Sequence, residues 1–175
     1  KSDQFEPDSA PGSESSKSGE DDDKTIKLTT SSGMAVVISE VAWAGTTAGN
    51  EWIELYNPGT IVISLDAWAL EGAGSGSNEI ILSGTIDPGG FFILADSSST
   101  VSSSAEPVTV NQTSSSLSLD NGGEPLKLVD KSGNTIDTAN KDGIAWPAGD
   151  DGDNKPTMER IVTEVDGVNA WYTNQ

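Results

Sequence analysis

The sequence contains neither cysteine nor histidine. The first absence removes disulfides and thiol nucleophiles. The second removes imidazole bases and Ser-His-Asp triads, and with the first it removes the usual zinc sites. Positive charge is scarce as well. Nine Lys and Arg stand against 28 Asp and Glu, a formal net charge of −19, and Arg160 is the single arginine. Such a surface repels phosphate backbones and anionic headgroups, so neither nucleic acid nor an acidic membrane surface is an expected partner. It suits high solubility and divalent cations. No apolar run approaches the roughly 18–20 residues of a membrane helix, so no membrane insertion is expected. No signal peptide is visible, and the chain opens on Lys1. That residue suits the start of a processed, exported protein, and equally the boundary of an excised piece.

What is present divides the chain in three. Residues 1–24 (KSDQFEPDSAPGSESSKSGEDDDK) are rich in Ser, Pro, Gly and acid, with Phe5 as the one large apolar side chain. They bury too little surface to offset ordering entropy, which predicts a disordered leader or stalk. Residues 25–33 follow as a candidate donor strand and hinge. Thr25, Ile26, Lys27, Leu28, Thr29 and Thr30 alternate strictly, with Ile26 and Leu28 on one face, and Ser31-Ser32-Gly33 breaks the pattern. A lone strand must pair, either with its own sheet or with a neighbouring molecule.

Residues 34–175 read as one domain of short strands. β-Branched or alternating stretches are predicted as strands at 35–43, 51–56, 61–65, 68–70, 79–82, 91–95, 108–110, 116–119, 126–129 and 135–137. Asn57-Pro58-Gly59 and Asp87-Pro88-Gly89-Gly90 are strong turns. Turns recur about every ten residues, as in a sandwich or barrel, and no segment keeps a helical period. The fold class is therefore all-β.

The order of these segments resembles the lamin tail domain family in its prokaryotic, exported form. The matching stretches are ISEVAWAG (38–45), NEWIELYNPG (50–59), ISLDAW (63–68), LSGTIDPGGFFILAD (82–96), SLSLDNGGEPLKLVD (116–130), GNTIDTAN (133–140), WPAG (146–149) and TMERI (157–161), with Trp171 near the end. The resemblance implies an immunoglobulin-like β-sandwich with a binding or structural role and no catalytic residues to carry over. Two departures stand out: extra residues in SLSLDNGGEP, and Asp66-Ala67 where the family commonly has a glycine.

Glu51 and Glu54 invite a catalytic reading. Strand alternation places Glu51 with Ile53 and Leu55, and Glu54 with Trp52 and Tyr56, on opposite faces. The two cannot form a glycosidase pair with each other. A carboxylate partner would have to come from another strand, with Glu40, Glu124 and Glu159 as candidates. A structural ion pair from Glu51 or Glu54 to Arg160 is the preferred expectation.

Three further features carry expectations. The five tryptophans, Trp43, Trp52, Trp68, Trp146 and Trp171, are read as core filling, while an exposed row would point to carbohydrate stacking. Asp150, Asp151, Asp153 and Asn154 offer oxygen ligands in a Gly-containing loop, so calcium is a possible but unrequired cofactor, with residues 120–124 a weaker candidate. A self-satisfied Asx turn explains the same residues without metal. Asn111-Gln112-Thr113 is a glycosylation sequon only in an exported setting.

The resulting expectation is a non-catalytic extracellular structural protein. Its sandwich subunits would self-assemble into a filament or surface layer by adding residues 25–30 to a neighbouring subunit's sheet. The alternative is a monomeric adhesion module for a glycan, cell wall or protein.

Overall fold

The computed structural model describes residues 36–45, 50–76, 78–97 and 109–174. Residues 1–24 and the candidate donor strand at 25–30 lie outside the described residues.

Two sheets pack face to face. The strands in chain order are β1 (Val37–Ala42), β2 (Trp52–Tyr56), β3 (Ile63–Ser64), β4 (Ala69–Gly74), β5 (Asn78–Ile81), β6 (Thr85–Ile86), β7 (Phe91–Ala95), β8 (Gln112–Thr113), β9 (Leu126–Val129), β10 (Thr135–Ala139), β11 (Met158–Arg160) and β12 (Trp171–Thr173). The larger sheet has the order β12-β11-β1-β2-β7-β8, the smaller β10-β9-β4-β5, and β3 pairs with β6 as a short ribbon. Pairing is antiparallel except between β7 and β8. The all-β sandwich expected from the turn spacing is the observed architecture.

Alternation builds the core. In β2, Ile53 and Leu55 are fully buried while Trp52, Glu54 and Tyr56 on the other face are half-buried. Ile38 and Val41 of β1, Phe92 and Leu94 of β7 and Met158 of β11 meet Leu70 of β4, Ile80 of β5 and Leu126 and Leu128 of β9 in one cluster. Each such side chain contributes roughly 1.5–3 kcal/mol by leaving water. Trp43 and Trp171 are buried and Trp52, Trp68 and Trp146 partly so, leaving none of the five tryptophans exposed. Trp43 and Trp146 stack with ring centres 6.1 Å apart, and Trp43 Nε1 donates to the Ala148 carbonyl at 2.9 Å.

The turns use their residues as expected. The Asn57 side chain is fully buried behind the Asn-Pro-Gly turn. Its Nδ2 donates to the carbonyls of Ile61, Ile86 and Asp87, and its Oδ1 accepts the Gly59 N–H. Ala67 adopts φ +61, a left-handed conformation that strains a residue with a Cβ.

Periodicity misled or was silent at several places. The strand expected at 116–119 is one bridge, Leu117 to Gly74; of the strand expected at 108–110, Val108 lies outside the described residues, and Thr109 and Val110 precede the short β8 at Gln112–Thr113 without joining it. β6, β11 and β12 went unpredicted, because two or three residues are too short to show alternation.

Candidate functional site

The two long sides of the sandwich are closed by side chains. On one side, Asn111 Oδ1 accepts the Ile93 N–H of β7 at 2.8 Å, and its own N–H donates to the Ile93 carbonyl. Gln112 then reaches across to the other sheet. Its Nε2 donates to the Ile81 carbonyl at 2.8 Å, and its Oε1 accepts the Ser83 N–H at 3.0 Å. The amide stands in for a strand residue, which no periodicity signal reveals.

The opposite side corrects the expected ion pair. Arg160 pairs not with Glu51 or Glu54 but with Asp137 of β10, at 2.6 Å with both side chains almost wholly buried. Arg160 sits in β11 on the core side, whereas Glu54 lies on the outer face and Glu51 turns toward Leu119. The guanidinium also donates to the carbonyls of Thr138 and Glu164 and lies 5.4 Å from the centre of the Trp171 ring. Asp137 Oδ2 in turn accepts the Ile38 N–H of β1 at 2.8 Å. Burial pushes the Asp137 carboxyl up, and the guanidinium and that N–H offset part of the rise. Beside the pair, buried Asp166 accepts from Thr138 Oγ1, the N–H groups of Asn140 and Lys141, and Trp171 Nε1.

Glu51 and Glu54 do lie apart, as alternation requires. Glu51 Oε2 accepts the Leu119 N–H at 2.8 Å, and burial, with nearby Asp96 and Glu124, raises its pKa to about 7. Glu54 Oε1 accepts from Ser39 Oγ at 2.8 Å. Its pKa is also raised to about 7, chiefly by burial, with Glu40 and Glu159 adding to the shift.

Those last two residues complete an arrangement that the sequence offered only as candidate partners. Cross-strand register places Glu40 opposite Glu54 on one side and opposite Glu159 on the other. Glu159 faces Tyr172 of β12. The outer face of the larger sheet thus carries a row of three carboxylates over β2, β1 and β11, ending at a tyrosine on the edge strand. A bulge at Ser39 shifts the register between Ile38 and Glu40. Tyr172 OH and Asn174 Nδ2 both donate to the Glu159 carboxylate. Burial raises Glu40, and the adjacent Glu159 raises it further. Like charges directly opposite on neighbouring strands destabilise one another, so the row is a cost that burial and packing elsewhere must outweigh.

The acidic loop resolves locally. Asp150 Oδ1 accepts the Gly152 N–H at 2.6 Å, an Asx turn, and Asp150, Asp151, Asp153 and Asn154 are all exposed. Asp120 Oδ1 likewise accepts the Gly122 N–H. Among the described residues no group of three or more His, Cys, Asp or Glu is placed to hold a metal ion. Asn111, the sequon residue, is exposed but commits its side-chain oxygen to β7.

The smaller sheet carries a groove of about 420 Å³ lined by Glu71, Gly72, Pro125, Lys127, Thr138 and Lys141 together with Leu126. Lys127 and Glu71 pair across it at 2.5 Å. No helix among the described residues is long and apolar enough to cross a membrane.

The family model of the lamin tail domain matches residues 29–142. No curated protein matches the chain. β11 and β12 lie beyond the matched segment, yet they supply Arg160, Glu159 and the edge of the larger sheet. The match covers more than half of the chain, and the chain belongs to the lamin tail domain family, with that family's immunoglobulin-like sandwich as its fold.

Proposed function

We propose that this chain is a non-catalytic, exported structural subunit that joins copies of itself by adding the strand at residues 25–30 to a neighbour's sheet. The observation that supports it is the state of the sheet edges. Side chains close both long sides of the sandwich, while β12 at the end of the larger sheet has no strand beside it among the described residues. An edge with no neighbouring strand leaves main-chain donors and acceptors for a partner that brings a matching strand. Head-to-tail repetition of such a contact makes a filament.

Electron microscopy of the full chain at high concentration tests the reading directly. Filaments are expected, and a variant lacking residues 1–33 should keep the sandwich fold and stay single. Identical filaments from the truncated chain would end the strand-addition account.

A monomeric binding module is the second reading, and the groove on the smaller sheet favours it. Its paired Lys127 and Glu71 suit a polar, uncharged ligand or a peptide. It lacks an aromatic platform, since no tryptophan lines it. Saturable heat of binding for a soluble glycan, with no self-association, would favour this module over the filament subunit.

A further inference from the structure

We infer that the edge of β12 accepts residues 25–30 of a second copy in antiparallel register, with Lys27 standing opposite Tyr172 at the end of the glutamate row. This rests on the strand-addition reading and specifies where and in what register the strand lands.

The backbone of β12 sets the geometry. Ile161 N–H donates to the Ala170 carbonyl, and Asn174 N–H to the Thr157 carbonyl. Alternation between these flanking bonds turns the main-chain groups of Tyr172 toward β11. Those of Trp171 and Thr173 therefore point away from the sheet, and an incoming strand gains about four main-chain hydrogen bonds from them. Tyr172 then occupies a close, non-hydrogen-bonded position, with its facing Cα about 4.5 Å away.

The incoming sequence fits those positions in one phase. With Lys27 opposite Tyr172, Leu28 falls opposite Trp171 and Ile26 opposite Thr173. Leu28 then lies on the face of buried Trp171, Ile26 beside exposed Thr173 on that same face, and Lys27, Thr25 and Thr29 lie on the face of Tyr172. Lys27 extends the row Glu54–Glu40–Glu159–Tyr172, laying its stem along the phenol ring and its ammonium toward the Glu159 carboxylate. A one-residue slip would put the lysine on the Trp171 face, away from the glutamate row, and both apolar side chains on the face of the carboxylates. The three carboxylates, costly within one subunit, become a device that selects a cationic strand and fixes its register.

Other edges fit less well. β8 is two residues long. The Ile81 carbonyl of β5 is taken by Gln112, and the Thr138 carbonyl of β10 by Arg160.

The absence of cysteine makes the test clean. Two full-length single variants, Thr25→Cys and Asn174→Cys, which face each other in the same register and leave Lys27 and Tyr172 in place, are purified with different affinity tags, mixed and oxidised. Their facing Cα separation, also that of a non-hydrogen-bonded pair, falls within the disulfide range. The expected yield of mixed disulfide is at least tenfold above that from Thr25→Cys mixed with Ile81→Cys, and Lys27→Glu should lower assembly of the cysteine-free chain by tenfold or more. No excess over the Ile81 control overturns the assigned edge. A Thr25→Cys/Asn174→Cys double variant that closes on itself as an oxidised monomer shows pairing within one chain and overturns the second copy as donor. Microscopy of the unmodified chain separates the two levels. Filaments without the cross-link leave strand addition standing and refute this site, whereas no filaments and no cross-link refute both.

Discussion

Arg160 and Asp137, from different sheets, meet at 2.6 Å in the seam of the sandwich with side-chain exposures of 0% and 4%. The Ile38 N–H bonds the carboxylate from within the core, and the Thr138 and Glu164 carbonyls accept from the guanidinium on its partly buried side. Removing one member leaves an unpaired buried charge. Asp137→Ala should cost about 3–5 kcal/mol in urea unfolding. Replacing both by apolar residues of similar volume should cost markedly less than the single change. Equal losses from the single and double variants would show that the pair is not coupled.

Glu51, and Glu54 and Glu40 of the outer row, give the domain an unusual response to pH. Glu51 and Glu54 have folded values of about 7 against an ordinary 4.5, and Glu40 is also raised. A raised folded value means that the folded state holds the proton more tightly than the unfolded chain. The stabilisation is complete below about pH 4.5 and is lost as pH climbs through about 7. Melting temperature should therefore rise on going from pH 8 to pH 5, by on the order of 5 °C. Glu54→Gln should shrink that rise. A melting temperature that falls steadily with acidification would contradict the assignment.

Asn57 is a second place where chemistry rather than size decides. Its amide serves three carbonyls and one N–H from full burial. Asn57→Asp keeps the shape, removes both donors and puts a carboxylate against three carbonyl oxygens. The expected loss is about 3 kcal/mol or more, and Asn57→Ala should be the milder change. Chemical denaturation of the two variants side by side checks the order.

Backbone conformation makes opposite demands at Ala67 and Gly149. Ala67 already sits at φ +61, so Ala67→Gly should be close to neutral, its relief of strain set against greater freedom when unfolded. Gly149 has φ +83, and an added Cβ would lie 2.5 Å from Trp43 Nε1. Gly149→Ala should cost about 2 kcal/mol or more and disturb the Trp43–Trp146 stack, which near-ultraviolet circular dichroism would register.

The contrast between legible and illegible parts follows from range. Ile53 and Leu55 announce a half-buried strand because burial repeats every second residue, and Asn57-Pro58-Gly59 announces its end because those residues set their own dihedrals. Phe91–Ala95 and Leu126–Val129 lie where their composition places them. Asp137 gives no such local sign. It sits in a plain alternating segment, and its partner lies on a strand too short to be seen. The glutamate row was half visible: Glu40 and Glu159 were named as candidate partners for the Glu51–Glu54 segment. Their meeting with Glu54 depends on the order β11-β1-β2, a property of topology. Gln112 posing as a strand residue has no sequence signature, because any exposed glutamine looks the same.

β1, the first strand of the described chain, lies in the middle of its sheet, and one of its two neighbours is β11 from near the other end. During synthesis its second edge must wait until almost the whole domain has left the ribosome. Chains released early would carry a long apolar strand with one side unzipped, the form most prone to pair wrongly. Contacts this distant in sequence also slow folding. For a protein whose copies are proposed to join by strand addition, late completion of β1 keeps folding and joining in order: β12 docks on β11, so the edge offered to a partner exists only once the interior is finished.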